Sequence, residues 1–344
     1  MKYLSIIIPC YNSENYLQAC LASLLFGYED KLEIIIVNDG SVDSTSKIAH
    51  EYENQYPSTI QVIDSENSGH GGAINKALKV ANGLFIKVLD SDDLLLEEGV
   101  SHLLNDIEQR NRENKELPDI YLSDYVVHNI KTESNTIKGF SSFAKCIDTL
   151  TDFSFVKKIK KYEHYFIHMF TFKNELMRKH PIQLLEKTFY EDNQLIFHIL
   201  KNSVSLIYLS KPISQYNVGS DNQSISLTNI DKNFMNQINV MHTIINCMSD
   251  EEYRSLDKYH KYHMLFTLRT FIGLTFYHIY CVPKKEKSIK YKELVKYFKR
   301  IRPYLYRQLK RKTIWFFISL CPPFLRGFVA RTGNKLLAKK EGFN

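Results

Sequence analysis

The stretch Leu84 to Asp93, LFIKVLDSDD, decides how the rest of the chain is read. Phe85, Ile86, Val88 and Leu89 predict a buried strand, and Lys87 is its one interruption. The run stops abruptly in three carboxylates, Asp90, Asp92 and Asp93. Acids grouped at the tip of a buried strand are costly unless something positive offsets them. A hard divalent cation suits carboxylate oxygens, and an ion held there could in turn hold a diphosphate. The competing explanation is helix capping by Asp92 or Asp93 ahead of Leu94, but one cap needs one acid.

Upstream, the pattern repeats. Residues 3–9 (YLSIIIP) and 32–37 (LEIIIV) are β-branched runs of the kind buried on both faces of a parallel sheet. A third strand is expected at 60–63. Helical spacing separates the strands: Tyr16, Leu17, Cys20, Leu21 and Leu24 follow the first, a helix capped by Ser41 or Asp43 follows the second and ends before Pro57, and 73–81 follows the third. This β-α alternation predicts a doubly wound, mostly parallel α/β sheet flanked by helices. Ligands of such sheets bind beyond the carboxyl ends of the strands. Here those ends are Pro9–Asn12, Asn38–Ser41 and Asp90–Asp93, all polar and all on one edge.

Beyond this core a helix is expected at 97–111 and a strand at 120–127. Residues 131–162 predict loops and short helices, and 165–172 a strand or a helix start. Another helix is expected at 186–201, a late strand at 203–209 and a polar loop at 215–226. From residue 230 the pattern is helical, which sets a boundary near 228 between domains 1–228 and 229–344.

Two turns leave alternatives open. Asn38-Asp39-Gly40-Ser41 suits recognition of a base or ribose, since Gly40 lets backbone come close, but Asp-Gly is also an ordinary tight turn. Gly69-His70-Gly71-Gly72 fails the G-x-G-x-x-G dinucleotide pattern because residue 74 is Ile. A glycine-rich turn at a helix start could still receive phosphate oxygens, or could be a turn alone. His164 and His168, four apart and beside Glu163, would suit a metal if helical; an aromatic packing segment near the acceptor site is the preferred reading.

In sequence order, SIIIPCYN (5–12), IIIVNDGSVDST (34–45), ENSGHGGAINKAL (66–78) and FIKVLDSDD (85–93) resemble family 2 glycosyltransferases, which have the GT-A fold. Tyr190-Glu191-Asp192 is similar to that family's acidic pair, and Gln223-Ser224-Ile225-Ser226 to its late loop. The resemblance implies a metal-dependent inverting transfer from a nucleotide-sugar, with UDP the expected nucleotide and Mg²⁺ or Mn²⁺ the ion. It places Pro9 and Tyr11 beside the nucleobase, Asp39 on the base or ribose, and Asn67 with the donor. Asp90 and Asp92 match the D-x-D pair, Asp92 on the metal and Asp90 on ribose or a metal-bound water. Asp192 becomes the general base and Glu191 its positioning neighbour. One departure stands out: Ile74 occupies the place where such families often carry Arg before Asn75, and His70 is the substitute considered for that diphosphate contact.

Composition sets the surroundings. The formal charge of +7 is uneven: 18 Lys/Arg against 3 Asp/Glu after Val282 make a tail of +15 on a body of −8. Basic residues at 284–312 followed by the aromatic-rich 313–330, with Trp315 between, predict a peripheral anchor on an anionic membrane rather than a span. A helical subdomain packed on the catalytic domain, with a solvated basic face, is the other reading of the tail. Nothing supports a nucleic-acid module. Six dispersed cysteines read as reduced thiols, and no secretory signal or run of about 18 apolar residues is evident. The expected setting is the inner face of the cell membrane, with a lipid-linked or other cell-surface glycan precursor as acceptor. A sugar nucleotidyltransferase would need a basic glycine-rich loop after the first strand, and 9–12 has neither glycine nor lysine. A silent binding protein of the same fold is opposed by intact acids at 39, 90, 92 and 192.

Overall fold

A computed structural model of the protein describes residues 1–156, 159–160, 163–219, 232–281 and 285–310. It divides into two compact units, Met1–Gln223 and Ser224–Asn344. The expected late loop at Gln223–Ser226 and the aromatic-rich stretch at 313–330 lie outside the described residues.

The first unit is built on a ten-stranded sheet. Its elements begin with β1 (Leu4–Cys10), α1 (Leu17–Ala22), β2 (Leu32–Asp39), α2 (Thr45–Gln55), β3 (Ile60–Ser65), α3 (Gly69–Val80) and β4 (Phe85–Val88). These four strands are parallel in the order β3-β2-β1-β4, and Ile7 sits between Ile35 and Val88. The chain therefore winds outward through β2 and β3, then returns to the other side of β1. Such a reversal opens a crevice at the carboxyl ends of β1 and β4.

Every residue of β1 is buried, because helices cover both faces. Leu4, Ile6 and Ile8 share one core with Leu32, Ile34 and Ile36, with Leu17, Cys20 and Leu21 of α1, and with Val100, Leu103 and Leu104 of α4 (Glu97–Arg112). Strand alternation turns Ile7 and Ile35 to the opposite face. Lys87, the interruption in β4, is fully buried; its Nζ donates to the carbonyls of His168 (2.8 Å) and Phe170 (3.4 Å).

The sheet continues through β5 (Leu94–Leu95), β6 (Ile120–Asn129), β7 (Ser134–Lys138), β8 (Thr151–Asp152), β9 (Phe170–Lys173) and β10 (Ser205–Val218). β9 runs antiparallel to both β4 and β6, while β10 lies parallel to β6. Two short helices, α5 (Asn174–Lys179) and α6 (Asp192–Asn202), precede β10.

Several boundaries differ from the sequence expectation. Leu94 and Leu95 pair with β10, and α4 starts only at Glu97, so neither Asp92 nor Asp93 is a helix cap. α3 starts at Gly69 instead of residue 73, which puts the glycines inside its first turns. α6 starts at Asp192 instead of 186, because Lys187 (φ 48°) and Tyr190 (φ 72°) take left-handed backbone that no helix can include. Residues 167–169 form a single 3₁₀ turn before β9. Gln215–Val218, expected as loop, are strand: after an irregularity between Leu209 and Ser214, β10 resumes pairing with Tyr125–Asn129. β7 and β8 lie in a region where only loops and short helices are expected.

The described part of the second unit is helical: α7 (Phe234–Asn246), α8 (Asp250–Ser255), α9 (Lys258–Cys281), α10 (Lys285–Ile301) and α11 (Pro303–Lys310). Ser249 and Glu252 form a reciprocal capping box at the start of α8. Leu294, Phe298, Leu305 and Leu309 are buried, whereas Lys292, Lys296, Lys299, Arg300 and Arg307 are exposed. No described helix is long and apolar enough to cross a membrane.

Candidate active site

The three acids sit in a turn immediately after β4. The amide of Asp93 donates to the Asp90 carbonyl (3.0 Å), which closes the turn, and the hydroxyls of Ser91 and Ser13 are 2.7 Å apart. From the far side, β10 reaches in: Asn217 donates its amide to Oδ1 of Asp93 (3.0 Å) and its side-chain nitrogen to the Asp92 carbonyl (2.6 Å). The strand extension at 215–218 is therefore what fastens the acidic turn.

The other carboxylate oxygen of Asp93, Oδ2, is buried and has no hydrogen-bond partner; Nδ1 of His168 lies 3.5 Å away. The His168 ring stacks on Tyr216 at 4.5 Å, and its carbonyl is held by Lys87 and Ser214. Ligand atoms of Asp90, Asp93 and His168 all fall within 4.8 Å of one another. Among the described residues this is a group able to hold a cation. Asp92, expected as the direct ligand, is half-buried in the same turn and is not part of this group.

Proton affinities follow from this crowding. Burial, then the charge of Asp90, pushes Asp92 up to about 6. Burial, then Asp90 and Asp92, raises Asp93 well above the carboxylate range. Burial pulls His168 down to about 4, so its ring is neutral and a nitrogen is free to ligate. Asp90 goes the other way. Burial opposes it, but the His70 hydrogen bond prevails and holds Asp90 at about 2. A buried orphan oxygen, two carboxyls with raised affinity for protons and a neutral imidazole fit a hard divalent cation.

His70 joins this cluster to the second acidic pair. Its Nε2 is 3.0 Å from Oδ1 of Asp90, and its Nδ1 is 2.6 Å from Oε1 of Glu191. Burial disfavours charge on the ring, but the two carboxylates outweigh it and raise its pKa well above the usual value. Glu191 is 3% exposed and immediately precedes α6. Asp192, the first residue of α6, is pushed up to about 7 by burial and then by Glu191. A carboxyl near 7 is matched to proton transfer at neutral pH.

The remaining expected residues are less tightly gathered. Tyr11 is 54% exposed and Pro9 is buried inside β1. Asn67 is exposed, and Gly40 fits against its backbone: a Cβ there would stand 2.9 Å from the Asn67 amide nitrogen. Asp39 accepts from the amide and hydroxyl of Ser68 (2.8 and 2.9 Å) and from the amide of Gly69 (2.7 Å). It thus caps α3 from a neighbouring strand end. Ile74 is 1% exposed in the core, so a basic residue at that position would not face the cleft. His168 and Asn217 are the participants that sequence spacing does not group with the acids. The buried Lys87 is the one local signal, since a lysine inside a strand must find acceptors.

The family model for "Glycosyl transferase family 2" matches residues 5–183. The minor teichoic acid biosynthesis protein GgaA of Bacillus subtilis is 45% identical over 94 residues, 26% of this chain and 21% of that protein. Glycosyltransferase GlyA of Streptococcus pneumoniae is 28% identical over 224 residues, 62% of this chain and 30% of its own length. The matches thus span less than a third of these relatives. Among solved structures, S. aureus TarS 1–349 in complex with UDP-GlcNAc superposes with a TM-score of 0.62 at 19% identity, covering 99% of this chain and 92% of that one. The likeness is one of fold.

Proposed function

The chain belongs to glycosyl transferase family 2, and from that premise we propose that it moves a sugar from a nucleotide-sugar donor to a hydroxyl of a cell-surface glycan precursor, with inversion. The observation that carries this is the His70 bridge, which brings the Asp90–Asp93 turn and the Glu191–Asp192 pair to one end of the sheet. One acidic group can hold a donor diphosphate through a cation, and the other can take a proton.

UDP is the nucleotide we favour, because the TarS neighbour was solved with UDP-GlcNAc. A glycan acceptor is supported by relatives named for teichoic acid biosynthesis and chondroitin synthesis. A Mg²⁺ or Mn²⁺ ion on Asp90, Asp93 and His168, with Asp92 next to them in the turn, would when bound supply Lewis-acid neutralisation of the leaving diphosphate. Asp192 in its ionised form accepts the proton of the acceptor hydroxyl as that oxygen bonds the anomeric carbon and the bond to diphosphate breaks. Its raised pKa makes it a stronger base than an ordinary carboxylate. Glu191, held by His70, keeps Asp192 in place.

For the second unit we propose peripheral contact with an anionic membrane through Lys292, Lys296, Lys299 and Arg300, at the face where the precursor is built. A two-domain division, catalytic then helical, goes with this reading.

A thermal-shift panel of UDP-, GDP-, CDP- and dTDP-sugars with and without Mn²⁺, followed by nucleoside diphosphate release, tests the proposal. One donor class should raise the melting temperature only with metal. No shift and no release with any donor would count against it.

A further inference from the structure

The glycine cluster at the start of α3 serves the segment that carries Glu191 and Asp192. A Cβ on Gly69 would stand 2.8 Å from the backbone of Lys187. One on Gly71 would stand 2.4 Å from the Leu185 carbonyl and 2.8 Å from Cγ of Glu191. No real Cβ tolerates such distances, so these glycines let helix and segment meet backbone to backbone. Hydrogen bonds fasten the contact. Lys187 donates its amide to the Ser68 carbonyl (2.7 Å), and Asn75 exchanges two bonds with Leu184 (2.9 and 2.8 Å). The amides of Ser68 and Gly69, which a phosphate would use, already bind Asp39.

His70 is the one side chain in the cluster larger than hydrogen. Its ring spans from Asp90, on the donor side, to Glu191, whose carbonyl accepts from Leu195 in the first turn of α6 (3.1 Å). Between Lys187 and Asp192 the backbone passes through the left-handed Tyr190, a conformation that persists only when its surroundings hold it.

We infer that His70 is a positioning residue of the transfer step: on a helix start that Gly69 and Gly71 let meet the 185–191 segment, it holds Glu191, and through it Asp192, in register with Asp90, and it does not contact the donor diphosphate. This rests on the glycosyl-transfer reading for its catalytic half. Its structural half stands alone, since the bridge exists in the free protein.

The test uses the full chain with His70→Ala and His70→Gln, the latter keeping one donor for one carboxylate. Amide hydrogen exchange of the metal-free protein reads the bridge directly. His70→Ala should exchange at least fivefold faster at 187–195 than wild type, with the melting temperature nearly unchanged. In transfer assays its kcat should fall at least 30-fold while donor KM stays within threefold, and His70→Gln should fall between the two. Unchanged exchange in His70→Ala overturns the inference, as does a loss expressed in donor KM, which would make His70 a donor contact. If wild type transfers no sugar at all, the functional reading fails while the exchange experiment still decides the bridge.

Discussion

Nδ1 of His168 stands 3.5 Å from Oδ2 of Asp93, a buried oxygen with no hydrogen-bond partner, and the two residues reach that point from the turn after β4 and the 3₁₀ turn before β9. At 3.5 Å the pair makes no hydrogen bond, although the ring is neutral and the carboxyl holds a proton more tightly than usual. The proposed cation would take up the unsatisfied oxygen. Wild-type protein in Mn²⁺ at about a hundred times its Kd should gain roughly 2.7 kcal/mol of stability. Asp93→Asn should keep or raise the metal-free melting temperature, because it removes a crowded acid, and should lose the Mn²⁺-induced gain. An undiminished Mn²⁺ shift in the variant would show that Asp93 is no ligand.

The proposed role of Asp192 as base predicts a pH dependence. With its pKa at about 7, raised by burial and then by Glu191, the base form appears as pH rises through that value. kcat/KM should therefore climb between about pH 6 and 8, and Asp192→Glu should move the midpoint. Stability should run the opposite way. The folded state holds this proton more tightly than the unfolded chain does, so its contribution is present at low pH and is lost as pH rises from about 4 to 7. Melting curves of Asp192→Asn should lack that part of the decline. An activity profile flat across pH 6 to 8 in wild type would contradict the assignment.

Lys87 should matter for stability more than its buried position suggests. Its Nζ serves the carbonyls of His168 and Phe170 inside the sheet. Lys87→Met fills the same space but leaves a buried acceptor under-satisfied, which costs about 1–3 kcal/mol. Urea unfolding measures this. A variant as stable as wild type would mean that Ser214, which also donates to the His168 carbonyl at 3.2 Å, suffices.

Much of this architecture is legible in the sequence, for physical reasons that also mark where legibility ends. Runs such as SIIIP and EIIIV can only be strands buried on two faces, and their polar ends point to one edge. The acidic turn is visible because three acids after an apolar run need an explanation. The extension of β10 is not visible, because Asn217 is polar to hold the acidic turn and Gln215 to support Asn217, so the stretch resembles a loop. The glycines of α3 read as a turn because propensity penalises them in helices, whereas here close backbone approach overrides propensity. Asp93 and His168 are 75 residues apart, and no spacing rule links them.

The exposed basic side of α10 should confer binding to lipid. Vesicles with anionic headgroups should sediment the full chain at low salt, and purely zwitterionic vesicles should not. Each basic residue contributes about 1 kcal/mol near such a surface, so replacing Lys292, Lys296, Lys299 and Arg300 by Ala should weaken binding by roughly 10³-fold. Equal sedimentation by the quadruple variant would remove this surface from the account.

Asp192→Asn offers the most direct test of transfer at the shared end of the sheet. Once a donor is identified, titration calorimetry with Mn²⁺ should give the variant a donor affinity within threefold of wild type. Single-turnover transfer should fall by about 10²–10⁴-fold, the usual contribution of a general base. Wild-type turnover by the variant, or loss of donor binding with turnover in proportion, would contradict the account.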